Sequence, residues 1–141
     1  MRAIVCWAVA VAALLGLSPQ AAHGQVRARA VVTCAAAAQV LEYDCTISLA
    51  NARSGEPLSG LTVSVGADMP SMPGMHNVRP VKATEQAEKG VYKVRLELEM
   101  HGDWAVQIDL RGAVRDRVIA MLRFEEEDVT DVKPSPGKRS Y

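Results

Sequence analysis

The chain carries no excess of positive charge. Its 16 Lys+Arg are matched by 16 Asp+Glu, so there is no basic field to hold nucleic acid or an anionic membrane surface. Catalytic signatures are missing as well. There is no Ser-His-Asp spacing, no carboxylate pair on an inferred pocket, no Gly-rich phosphate loop and no haem-attachment Cys-x-x-Cys-His. No nucleophile stands beside any of the three histidines, and the chain reads as a non-enzyme. Cysteine is scarce too: three residues, with neither a CxxC nor a Cys-His spacing to suggest a thiolate metal site.

Long apolar runs are confined to the start. Arg2 gives a positive beginning, and positions 3–17 are apolar apart from Gly16, a run short for a membrane span. Ser18-Pro19-Gln20 breaks it, and Ala22-His23-Gly24 supplies small residues at −3 and −1. Residues 1–24 therefore read as a signal peptide cleaved after Gly24, an uncleaved anchor being the alternative. The expected location is periplasmic, with no membrane span after cleavage. Cys6 and His23 leave with the signal. Without Arg2, 15 Lys+Arg face 16 Asp+Glu over residues 25–141, which is enough chain for one modest core.

Cys34 and Cys45 remain, and an even pair in an exported chain reads first as a disulfide. Ten residues lie between them. Closing such a loop contributes ~2–3 kcal/mol when the geometry is unstrained.

Alternating apolar and polar residues predict strands over 25–34, 43–50, 61–67, 78–85, 90–100, 103–111 and 117–124. The clearest is 90–100, with Val94, Leu96, Leu98 and Met100 inward and Lys93, Arg95, Glu97 and Glu99 outward. In 103–111, Trp104 alternates inward with Val106 and Ile108 and reads as core. Met121 is out of phase with its strand's inward set. Positions 35–41 are Ala-rich and suit either a two-turn helix or a hairpin connection. Seven short strands with turns between them predict an all-β fold, a seven-stranded antiparallel β-sandwich of immunoglobulin-like architecture, over residues 25–124. Periodicity fades after Phe124. Residues 125–141, opening with Glu125-Glu126-Glu127-Asp128, read as a solvated, disordered C-terminal tail.

Against this background one segment stands out: Met69-Pro70-Ser71-Met72-Pro73-Gly74-Met75-His76. It holds three of the chain's six methionines, in a proline-broken loop where exposure is expected. Thioether sulfur is a soft donor suited to Cu(I), and it needs no deprotonation and forms no disulfide, so it serves in an oxidising compartment. Histidine broadens the preference toward Cu(II). If successive strands alternate in direction, the connection holding this loop and the connection Met100-His101-Gly102 share one end of the sandwich. Met69, Met72, Met75, His76, Met100 and His101 then form a candidate copper site, with copper arriving as Cu(I) more readily than as Cu(II). Pro70 and Pro73 favour polyproline II, in which successive turns stand roughly 9 Å apart. A rigid strip of that kind cannot wrap one ion with all three sulfurs, whereas Gly74 permits a bend. The alternative is an apolar plug, since Met fills irregular gaps at a sandwich end.

Ser54-Gly55-Glu56-Pro57-Leu58, the methionine element, Gly90-Val91-Tyr92 and Met100-His101-Gly102-Asp103-Trp104 together resemble the YtkA-like/FixH-like domain family over about residues 54–124. The resemblance implies an exported or membrane-anchored immunoglobulin-like β-sandwich, found alone, beside metal-efflux modules and in proteins linked to assembly of copper-containing oxidases. It maps the methionine motif onto Met69, Met72 and Met75, and the second element onto Met100, Gly102 and Trp104. A cleavable signal and the Cys34/Cys45 pair depart from the FixH-like pattern. The resulting expectation is a periplasmic copper-binding carrier or delivery factor that passes copper to a copper-receiving or copper-efflux envelope protein. The alternative is a metal-free envelope interaction module with an apolar methionine cap.

Overall fold

A computed structural model describes residues 25–133 of the chain. The expected signal peptide and positions 134–141 of the expected tail lie outside the described residues. Nine strands run in order: β1 (Ala28–Ala36), β2 (Glu42–Asn51), β3 (Thr62–Asp68), β4 (Asn77–Lys82), β5 (Thr84–Glu85), β6 (Val91–Glu97), β7 (Gly102–Arg111), β8 (Asp116–Phe124) and β9 (Val129–Asp131). Among the described residues there is no helix, and so none long and apolar enough to cross a membrane.

All neighbouring strands are antiparallel. One sheet has the order β1-β2-β6-β5 and the other β4-β3-β7-β8-β9. Lettered in chain order through β8, these are the ABED and C′CFG arrangements of the immunoglobulin sandwich, with β9 added at one edge. The expected two-sheet antiparallel sandwich forms, but with nine strands rather than seven. Two local causes account for the difference. The stretch expected as one strand over 78–85 splits where the buried Ala83 donates its N–H to Val63 O at 2.9 Å. The next two residues then pair with Lys93 and Tyr92 on the opposite sheet. Pro80, which has no N–H to donate, is tolerated because β4 is an edge. The second addition is in the expected tail. Glu125 N–H donates to Asp128 O at 2.8 Å, turning the chain so that β9 pairs with β8.

The 35–41 segment forms a hairpin connection and not a helix. β1 continues to Ala36, and Leu41 adopts φ +65° in the turn. Ala37 N–H donates to Glu42 O and Ala52 N–H to Arg27 O, both at 2.8 Å. Hydrogen-bonded pairs therefore fall on odd positions of β1. Cys34 and Cys45 face each other across a non-hydrogen-bonded pair, where antiparallel strands come closest. Their α-carbons are 4.0 Å apart and the sulfurs are bonded, as the pairing argument expected.

Alternation along β2, β3, β6, β7 and β8 delivers a core of Tyr43, Ile47, Val63, Val65, Tyr92, Leu96, Trp104, Val106, Ile108 and Phe124. Each such side chain contributes roughly 1.5–3 kcal/mol through burial. Tyr43 and Phe124 meet edge to face at 4.8 Å across the sheets. On the outer faces, Asp44–Arg95, Asp109–Arg117 and Asp103–Arg123 pair directly across neighbouring strands. Such exposed pairs add little stability, but they favour the observed register over its alternatives. A more buried tie joins the two sheets. The Asp116 carboxylate accepts from Ala28 N–H at 2.8 Å and from Arg27 Nη1 at 3.0 Å.

Replacing both Cys34 and Cys45 by Ala is expected to lower unfolding free energy by ~2–3 kcal/mol, measured by urea denaturation. The Ala28 N–H, with help from the Arg117 N–H and the Arg27 guanidinium, holds the Asp116 carboxyl below its ordinary 3.8. A lowered folded-state value means that its stabilisation is complete above the unfolded value and lost as pH falls through the folded one. The urea midpoint should accordingly hold above about pH 4 and fall below it, with a shallower fall in Asp116→Asn.

Candidate functional site

Strand direction gathers the connections β1–β2, β3–β4, β6–β7 and β8–β9 at one end of the sandwich. Leu98 N–H donates to Leu41 O at 2.9 Å, tying the β6–β7 connection to β1–β2, and Tyr43 Oη donates to Glu125 O at 2.7 Å, tying β2 to the β8–β9 connection. The methionine loop and the Met100–His101 turn therefore share this end, as the topology argument anticipated.

Within the loop, however, the backbone is not polyproline II. Met72 N–H donates to Met69 O at 3.0 Å, and Met75 N–H to Met72 O at 3.1 Å. Met69 N–H closes the base on His76 O at 3.3 Å. The result is two linked β-turns, each with proline at its second position, where the fixed φ suits the turn. In the second, Gly74 has φ +75°, as a type II turn requires of its third residue. The prolines preset both conformations; the internal hydrogen bonds and Gly74 select the folded-back one.

The turns sort the side chains by depth. Met69 is 3% exposed and belongs to the core, while Met72 is half-buried against it. Met75, at the end of the second turn, is 74% exposed. Met100 is 37% exposed and His101 is exposed. An open cavity of about 530 Å³ is lined by Met69, Met72, Met100 and His101, with Asp103, Arg123 and Glu125 also bounding it. Four of the six expected ligands thus meet at one cavity. Met75 and His76 do not line it.

His76 is engaged elsewhere: its Nδ1 lies 2.5 Å from Glu99 Oε2. Glu99 belongs to the β6–β7 connection, so this contact ties the methionine loop to the Met100 turn. Trp104 ties the same turn from below. Its ring is fully buried, as expected of a core residue, and its Nε1–H donates to Met100 O at 3.2 Å. At the rim, Arg123 holds Asp103 through two bonds of 2.6 and 2.9 Å. That hydrogen bonding keeps the Asp103 carboxyl below its ordinary value and offsets one rim charge with another. Glu99, the Trp104 indole N–H and the Asp103–Arg123 pair were not singled out from the sequence as parts of the site. Strand alternation marks Glu99 only as outward, and its place opposite His76 depends on the β3–β4 loop folding back.

Among the described residues no three His, Cys, Asp or Glu side chains come together as metal ligands. The donors that do gather are thioethers and one imidazole, a soft set. Gly102, between the two elements, has φ +136°, and a Cβ built there would sit 3.1 Å from the Met69 methyl. Gly102→Ala is expected to cost about 1–3 kcal/mol through backbone strain and to displace Met69, checked by thermal unfolding and by the Met69 methyl resonance.

The sequence model of the YtkA-like family matches residues 25–109. The match includes β1 and β2, which lay outside the 54–124 span of the residue-level resemblance, and it ends inside β7. It contains the methionine loop and the Met100–Trp104 element. No curated protein and no solved structure matches the chain. With the family pattern running through most of the sandwich and both elements of the site, the chain belongs to the YtkA-like family.

Proposed function

We propose that this protein is a non-catalytic Cu(I) carrier of an oxidising, exported compartment, and that it hands copper to an envelope protein by exchanging ligands. The observation that carries this reading is the convergence of Met69, Met72, Met100 and His101 on one open cavity. Thioethers are neutral, so gathering them costs no charge repulsion, and a soft monovalent ion is the cargo they favour. Met72, Met100 and His101 are the ligands in this proposal. Met69 is the floor, because its burial leaves it the least free to move. The Cys34–Cys45 disulfide supports an oxidising location, where thiolate ligands would be consumed and thioethers persist. The cavity opens to solvent, which suits release to a partner's methionine or histidine ligands better than permanent retention.

The burial of Met69 favours a second reading, in which the loop caps the sandwich end and the exposed parts of Met72, Met75 and Met100 form an adaptable contact surface for an envelope protein. Copper titration separates the two. The carrier reading expects Met72→Leu with Met100→Leu to weaken Cu(I) binding by at least about tenfold in competition with a chromogenic chelator. Unchanged affinity in that double variant, with partner binding indifferent to copper and chelator, selects the contact surface instead.

A further inference from the structure

Met75 and His76 fall outside the cavity, yet neither is placed as ordinary surface. Met75 ends a turn whose backbone is fixed by Pro73, Gly74 and the Met75 N–H to Met72 O bond. Its side chain is exposed to solvent. A single exposed apolar residue would by itself need no explanation. What distinguishes this one is its neighbour. The His76 side chain is 29% exposed and its Nδ1 is taken by the Glu99 carboxylate. An ionised carboxylate only accepts hydrogen bonds, so Nδ1 carries the hydrogen and, in the neutral ring, Nε2 carries the lone pair. A carboxylate that fixes the tautomer and ring orientation in this way is the outer-shell arrangement that accompanies metal-bound imidazole. Glu99 also makes its contact from a different element, the β6–β7 connection, so the imidazole is gripped by the structure facing it and not by its own loop.

We propose that the Met75 sulfur and His76 Nε2 form a second, outward-facing Cu(I) station, with Glu99 as its positioning residue. This rests on the copper reading above and deepens it: the outer station meets the partner first, and the ion leaves the cavity through it. A thioether and an imidazole make a two-coordinate soft set, and no third protein ligand is required. The two stations are mechanically linked. Met72 lines the cavity and Met75 faces out, and they are the first and last residues of one β-turn, which places their α-carbons within about 7 Å. An ion can pass between them by exchanging one thioether for the next while the loop backbone stays in place.

The test is a Cu(I) titration of the folded, disulfide-bonded protein carrying labelled methionine methyl groups and labelled imidazole nitrogens, followed by NMR. In the expected course, the Met72 and Met100 methyl resonances move with the first equivalent, and the Met75 methyl and the His76 ring move in a separate, weaker step. Glu99→Ala weakens that second step by about tenfold, leaves the first unchanged and scrambles the His76 tautomer seen in the metal-free protein. Glu99→Gln, whose amide oxygen still accepts from Nδ1–H, restores most of the affinity. Met75→Leu abolishes the second step without altering the fold. If the Met75 and Met72 methyls move together in one step, or if Met75 stays still to saturation while the cavity fills, the outer station is wrong and the cavity reading stands. If no methyl responds to Cu(I), the copper reading itself fails, and the station with it.

Discussion

The pairing of β3 with β7 is the constraint on which the site end of this molecule depends. Asp68 stands opposite Ala105 in that ladder, so the chain leaves β3 beside the start of β7. The methionine loop is thereby delivered next to the Met100–Trp104 turn. Register decides the rest, because side chains alternate between faces with a period of two. In the observed register Val63, Val65 and Ala67 face the core, and Met69 continues the same parity into the interior. A slip of one residue would send Asp68 inward and turn Met69 to solvent. The Asp109–Arg117 and Asp103–Arg123 pairs favour the register of the neighbouring β7–β8 ladder. Trp104, buried in β7, passes the register on to the turn by holding Met100 O.

What could be read from residues alone follows the range over which each signal acts. Alternation is local, and it marked the strands that build both sheets, the inward set of β6 as far as Leu98 and the core position of Trp104; Met100, expected inward as well, lies beyond the strand's end at Glu97 and is 37% exposed. The antiparallel order of consecutive strands is nearly local, and from it came the convergence of the methionine loop with Met100 and His101. The Cys34–Cys45 bond was legible from the even cysteine pair in a chain read as exported, and the β1–β2 hairpin supplies its geometry by placing the two residues opposite one another. Signals that depend on a distant partner were not legible. The break at Ala83 depends on an acceptor in β3 and on new partners in the other sheet. β9 is three residues long and exists through its pairing to β8, so its acidic approach looked like a tail. Glu99 carried the sign of a solvated strand residue, and its partner is 23 positions away.

The methionine loop shows why two opposed readings of the same residues both had physical merit. Proline favours polyproline II and the second position of a β-turn through the same fixed φ, so the prolines alone could not choose between an extended strip and a folded loop. Gly74 and the chain of Met69, Met72 and Met75 backbone bonds make that choice. Once the loop is folded, plug and lip cease to exclude each other. Met69 is a plug by burial and by its methyl packing at Gly102. In that role it anchors the turn that carries Met72 to the cavity and Met75 to the surface.

That gradation bears directly on how a carrier can both hold and release a soft ion. A site built only from buried ligands binds tightly, but a partner cannot reach it without opening the core. A site built only from exposed thioethers is reachable, but each flexible arm loses conformational freedom on binding and the ion is held loosely. Here the methionines run from 3% exposed at Met69, through the half-buried Met72 and Met100 at 37%, to 74% at Met75. The rigid sandwich supports the inner members through Trp104 and the core, and the Glu99–His76 contact steadies the outer ones without covering them. Were the ion bound as proposed, an incoming partner ligand would meet it first at the most exposed donor and need not disturb the core. Under the copper reading, this ordering of ligands by burial lets exchange proceed stepwise from the outside, with Met69 remaining in place as the floor on which the loop is folded.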